Sequence, residues 1–146
     1  MMHNFFECKI RYEKVMEYGK NKKVAESYLV DALSFTEAEK RIIEESKSFI
    51  TGDFTVDAIK RYNITELFDN TECDPSIWFK VKANFITLDE KSGIEKKIAS
   101  YYLVQSCDIR NAQKYFDDKM RGTMVDYTIE NIVETKIMDV YKFETK

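Results

Sequence analysis

An α+β fold is predicted for this chain of 146 residues, as an internal duplication of a strand-strand-helix-strand(-strand) unit whose antiparallel sheet carries two packed helices. Three observations predict it. The run Lys22-Lys23-Val24-Ala25-Glu26-Ser27-Tyr28-Leu29-Val30 returns as Lys96-Lys97-Ile98-Ala99-Ser100-Tyr101-Tyr102-Leu103-Val104, at an offset of about 74 residues. The likeness then extends outward, with Phe6 on Phe79, Lys9 on Lys82 and Tyr12 on Phe85. After a one-residue slip before Gly19 and Gly93 it continues with Ala38 on Ala112 and Lys40 on Lys114, and the later part agrees too, Asp53–Asp57 aligning with Asp126–Glu130. Finally, each half sets stretches of two-residue apolar alternation around one stretch of helical period. The repeats cover about 4–69 and 76–143 of a single domain, 1–146; the breaker-rich segment 69–75, with the sole proline, is the linker between them.

In order, Phe5–Val15 alternates as a half-buried strand, Phe6, Cys8, Ile10 and Tyr12 turning to the core and Phe5, Glu7, Lys9 and Arg11 outward. Tyr18-Gly19-Lys20-Asn21 forms the turn, and Val24–Leu33 returns as a strand apolar on both faces. A helix starts at a capping box, Ser34 with Glu37 or Thr36 with Glu39, and runs to about Phe49 on a stripe of Ala38, Ile42, Glu45 and Phe49. Phe54–Tyr62 reads as a third strand and Ile64–Phe68 as a short fourth or an extended edge. The second half repeats this as strand 77–89, turn 90–93, strand 94–107, a helix 109–121 capped by Asp108 with the stripe Ala112, Phe116 and Met120, and strands 127–134 and 137–143.

Length permits burial of roughly two-thirds of the unfolded surface, enough for a core without staples. Cys8, Cys73 and Cys107 are odd in number and far apart, so no disulfide framework is expected and a reducing, cytoplasmic setting is. The formal net charge of -3 supplies no bulk attraction to nucleic acid or to anionic membrane. No apolar run approaches the ~20 residues that span a bilayer, and the first four residues are too short for a targeting segment.

The chemistry is marked by absences. The only histidine, His3, stands at the terminus, which removes histidine acid–base catalysis, Ser–His and Cys–His pairs and most zinc geometries. None of the four glycines forms a phosphate-cradling loop. No catalytic residue, metal site or cofactor is expected. The outward faces of the first strand of each repeat are the candidate ligand surface: Trp78, Lys80, Lys82 and Asn84 in one half, and Phe5, Glu7, Lys9 and Arg11 in the other. Aromatic rings interleaved with cations can stack a base and hold a phosphate, at about 1–3 kcal/mol per stacked base. Lysines there also protect a solvated edge from aggregation, and a Trp or Phe can pack under a neighbour.

The runs Phe5–Tyr12, Tyr28–Glu39, Trp78–Lys82, Asn84–Gly93 and Val133–Val140 resemble a domain-of-unknown-function family, number 4494, of Bacteroidetes genomes and their phages. That resemblance implies a protein of the bacterial host cell's cytoplasm, and it brings no catalytic residues with it. The function expected is non-catalytic binding of a small nucleotide-like ligand, in a phage setting the sequestration of a nucleotide immune second messenger, with Trp78, Lys80, Lys82, Phe5, Lys9 and Arg11 as its site. The alternatives are a structural or interaction module, such as a phage accessory or assembly protein, and single-stranded nucleic-acid binding, which the acidic balance disfavours. A homodimer or larger homo-oligomer is expected, and no membrane partner.

Overall fold

The computed structural model describes residues 4–72 and 76–142; the expectations for His3, Cys73, Asp74, Pro75 and Phe143 lie outside the described residues. The protein is α+β. Its elements are β1 (Phe5–Val15), β2 (Asn21–Asp31), α1 (Phe35–Lys47), β3 (Phe54–Tyr62), β4 (Glu66–Phe68), β5 (Ile77–Leu88), β6 (Glu95–Ser106), α2 (Ile109–Arg121), β7 (Tyr127–Glu134) and β8 (Ile137–Tyr141). They form two compact units. The first holds residues up to Asn63 together with Lys136 onward, and the second Ile64–Thr135.

In the first unit the sheet order is β3-β1-β2-β8. β1 is antiparallel to β2 and β3, with a bulge at Lys9/Ile10 on the β3 side, and β8 lies parallel to β2 over Ser27–Val30. The alternation of β1 is realised as expected: Phe6, Cys8 and Ile10 are fully buried and pack with Tyr28, Val30, Ala38 and Ile42. Of the two possible capping boxes, the chain uses Ser34 with Glu37. The Ser34 hydroxyl accepts from the Glu37 amide at 3.1 Å, and the Glu37 carboxylate accepts from the Leu33 amide at 3.3 Å. The α1 stripe differs from the expected one. Ala38, Ile42 and Ser46 are its buried residues, because the helix stops at Lys47 and Phe49, past its end, leaves the i, i+4 phase and is exposed. The Arg41 guanidinium donates to the main-chain oxygens of Asp31 and Lys142, tying α1 to the end of β2 and to the chain after β8.

In the second unit the order is β4-β6-β5-β7, with β5 antiparallel to β6 and β7, a bulge at Lys82/Ala83, and β4 parallel to β6 over Tyr102–Val104. The Asp108 carboxylate caps α2 by accepting from the Asn111 amide at 2.8 Å. Ala112, Phe116 and Met120 are buried as the stripe requires, against Phe79, Val81, Tyr102 and Val104.

The expected antiparallel pairing holds for two of the three strand pairs in each of the two sheets and is corrected at one edge of each, which ends in a parallel pair. The cause is connectivity. β3 runs in the same direction as β2, since both oppose β1. A strand parallel to β2 in the same sheet would therefore need a crossover of roughly a dozen or more residues after β3. Only Asn63, Ile64 and Thr65 separate β3 from β4, so β4 pairs with β6 in the second unit, and only Thr135 and Lys136 separate β7 from β8, which pairs with β2 in the first.

The cysteines also correct an expectation. Cys8 is free and buried, its thiol pushed up to about 12 by burial and by the neighbouring Glu7 carboxylate, whereas Cys107 is disulfide-bonded. Separation along the sequence does not measure separation in a fold, so cysteine spacing carries no inference here about a reducing compartment.

Burial raises several phenols. Tyr12, Tyr62, Tyr127 and Tyr141 are each pushed up to about 12, first by burial, then by the carboxylates of Glu26, Glu7, Asp117 and Asp139 respectively. The folded state holds these protons more tightly than an unfolded chain with phenol values near 10. The stabilisation is complete below pH ~10 and is lost as pH rises through ~12, because there the unfolded state binds fewer protons. Urea midpoints measured between pH 7 and pH 12 should begin to fall at about pH 9, where the Cys8 thiol ionises in the unfolded chain, and fall more steeply above about pH 10 with the phenols; a midpoint constant to pH 12 would refute these assignments.

Candidate functional site

The alternation that sends Phe6, Cys8 and Ile10 under α1 sends Glu7, Lys9 and Arg11 to the other face of the first unit's sheet. Register then decides their neighbours. Glu7 lies between Leu29 and Lys60, Lys9 between Ser27 and Ala58, and Arg11 between Ala25 and Thr55. Because Ala25, Ser27 and Ala58 are small, the middle of this face stays low and forms the floor of an open hollow of about 760 Å³. Lys9, Lys60 and Lys136 stand around it with Glu7, and Met138 lies at the rim.

The three lysines are exposed, and among the described residues none makes an ion pair with a carboxylate. Glu26, which also borders the hollow, is engaged elsewhere: its Oε1 accepts from the Tyr12 hydroxyl at 2.6 Å and from the Tyr28 hydroxyl at 3.0 Å. The hollow therefore presents three ammonium groups over a low floor, with Glu7 the carboxylate turned to it. Flexible stems let the ammonium groups converge on a small anion.

The residues expected to form the site are distributed differently. Lys9 lines the hollow. Arg11 is paired with Asp57, Nε to Oδ2 at 2.9 Å, at the end of the same face. Phe5 is 6% exposed and Trp78 4% exposed, so neither ring has an open face on which a base could stack. In the second unit Lys82 pairs with Glu130 at 2.5 Å. That contact holds the Lys82 ammonium above its ordinary value and the Glu130 carboxyl below its own. Lys80 and Lys82 both ride on Tyr101, their Nζ atoms 4.8 Å and 6.0 Å from its ring centroid.

Of the three lysines around the hollow, Lys60 and Lys136 are not on the surface that the sequence predicts. Lys60 reaches this face only through the bulge opposite Lys9/Ile10, which shifts the phase of β3 so that Phe54, Val56 and Ile59 pack on the core while Ala58 and Lys60 turn away from it. Lys136 enters this site only through the pairing of β8 with β2. Among the described residues no group of three His, Cys, Asp or Glu side chains is placed to hold a metal ion, and no helix is long and apolar enough to cross a membrane.

The model of the family described as "Domain of unknown function (DUF4494)" matches residues 4–143. The chain belongs to that family. The match takes in every strand and helix of both units, so the hollow is part of the DUF4494 domain itself. A comparison with curated proteins found no match. The DUF4494 description names no reaction and no ligand, and the reading of function stands on the geometry of the site.

Proposed function

We propose that this DUF4494 protein is a non-catalytic binding protein for a small phosphorylated anion, held in the hollow of the first unit. The observation that carries the reading is that Lys9 of β1, Lys60 of β3 and Lys136 of the link before β8 line one hollow with Ala25, Ser27 and Ala58. A volume of about 760 Å³ lies within the ~300–1,000 Å³ of small-ligand sites. Lysine is a point-charge phosphate binder, and three lysines that pair with no carboxylate among the described residues are set to be neutralised by a ligand. A protein that holds such a ligand without turning it over acts by sequestering it or by sensing it.

We also propose that the two units are copies of one ancestral unit. Each sheet places its helix between corresponding strands, each ends in a parallel pair, and the bulges fall at Lys9/Ile10 and Lys82/Ala83, positions that the sequence repeat aligns.

Inorganic phosphate, pyrophosphate and nucleoside phosphates, screened by thermal shift and then by calorimetry, test the binding reading. At a hundredfold excess over Kd the best of them should stabilise the chain by about 2.7 kcal/mol. Alanine at each of Lys9, Lys60 and Lys136 should weaken binding about tenfold, roughly the loss of one charge-assisted hydrogen bond. Flat melting curves across the panel, or undiminished binding by the triple variant, would sink the proposal.

A further inference from the structure

Ser27 and Tyr101 occupy one register position in their respective units. Ser27 faces Lys9 across the β1–β2 pair, and Tyr101 faces Lys82 across the β5–β6 pair. Each is followed by a buried tyrosine and then by a fully buried leucine, Tyr28–Leu29 and Tyr102–Leu103, so both side chains turn to the sheet face away from the helix.

What stands there differs sharply. The second unit fills its own sheet face with a phenol ring, and two lysines lie over that ring at 4.8 Å and 6.0 Å from its centroid, one of them paired with Glu130. The first unit has only a hydroxymethyl group at the equivalent place, with alanines beside it and three lysines around it. The second unit thus shows, built from its own side chains, an aromatic ring and a carboxylate satisfying lysines on this kind of sheet face; ammonium groups favour the negative face of a ring and an anion at its edge.

We infer that the hollow of the first unit takes an aromatic anion of the nucleotide class. Its ring lies over Ser27, where Tyr101 lays its own ring in the second unit, and its phosphate is held by Lys9, Lys60 and Lys136. Ser27 leaves room for that ring on the first unit's face; the second unit, with Tyr101 at this position and Val133 at the register position of Lys60, does not offer the same site. Glu7, turned toward the same hollow, is an acceptor for a base N–H such as an exocyclic amino group. The inference rests on the anion-binding reading above and adds to it the ring, its location and the specificity-determining residue.

Calorimetry on the full chain tests it with AMP and with ribose 5-phosphate, which carries the phosphate without the aromatic ring. Wild type should bind one AMP per chain and ribose 5-phosphate at least about tenfold more weakly. Ser27→Tyr, which installs the residue the second unit tolerates, should keep the wild-type circular dichroism and melting temperature and lose at least about tenfold in AMP affinity. Ser27→Gln provides a smaller obstruction if the tyrosine variant fails to fold, and should lose affinity in the same direction. A folded Ser27→Tyr or Ser27→Gln protein that binds AMP as wild type does would overturn the inference, as would equal affinity for ribose 5-phosphate. In those outcomes the anion-binding reading survives; failure of wild type to bind any phosphate compound overturns both.

Discussion

Replacing Phe116 by alanine is expected to remove about 3–5 kcal/mol of unfolding free energy, since a fully buried aromatic loses both its transfer free energy and the contacts around the cavity it leaves. Phe116 is fully buried on α2 and is the ring around which the second unit's core is arranged. Its centroid lies 5.0 Å from that of Tyr102, 5.6 Å from Tyr127 and 6.0 Å from Phe68, the first two edge-on. Phe68 and Tyr102 also stack on each other at 5.6 Å, and Phe68 belongs to the three-residue strand β4. Loss of Phe116 therefore removes a side contact from a strand with few others to hold it. Against a total stability of about 5–15 kcal/mol, a loss of this size brings a domain close to unfolding. Urea denaturation followed by circular dichroism should show a lower midpoint with an unchanged slope. A loss below about 1 kcal/mol would mean that the aromatic cluster is not the core of this unit. Phe116→Leu, which retains most of the volume, should fall between the two and serves if the alanine variant cannot be purified.

The second large effect is expected at Glu26. Its side chain is 12% exposed, and one carboxylate oxygen accepts from both Tyr12 and Tyr28, while Lys14 stands 3.9 Å from the other. Glu26→Ala leaves the Tyr28 hydroxyl, on a residue 5% exposed, without its acceptor, at a cost of about 2–3 kcal/mol. In a Tyr12→Phe/Tyr28→Phe background the same substitution should cost much less, because no buried donor remains to be orphaned. The difference between the two costs, read from four urea titrations, measures the coupling of the cluster. Equal costs in both backgrounds would show that Glu26 contributes through packing or long-range charge and not through these hydrogen bonds.

The consequence for the candidate site is direct. Glu26 borders the hollow, yet its charge is drawn to the helix side of the sheet by two phenols, which leaves Glu7 as the carboxylate facing three lysines. At the aligned position the second unit has Ser100, and there Tyr127 donates to Asp117 instead, at 2.6 Å. The polar network under each helix is thus built from different residues, although the apolar frame is alike.

Local pattern determined much of this protein. The alternation of Phe6, Cys8 and Ile10 against Glu7, Lys9 and Arg11 decides which side of β1 is core, because successive side chains on a strand point to opposite faces. Ser34 and Asp108 mark the starts of α1 and α2 because a short polar side chain there satisfies an orphan amide. The spacing of Ala112, Phe116 and Met120 is a helical stripe and is buried as one. These features need only a few neighbouring residues, and the sequence contains those residues in order.

Strand partnership needed the whole chain. Nothing in Glu66-Leu67-Phe68 or in Ile137–Tyr141 states that the first pairs with β6 and the second with β2; that follows from the direction of β3 and β7 and the short links after them. Lys136 reaches the hollow only by this route, and Trp78 and Phe5, whose alternation reads as outward, are buried in the folded chain. A two-residue period says which side of a strand a residue occupies. Which elements lie over that side is set by tertiary connectivity, and so the lysine hollow, with Ser27 at its floor where the other unit places Tyr101, was decided by the fold.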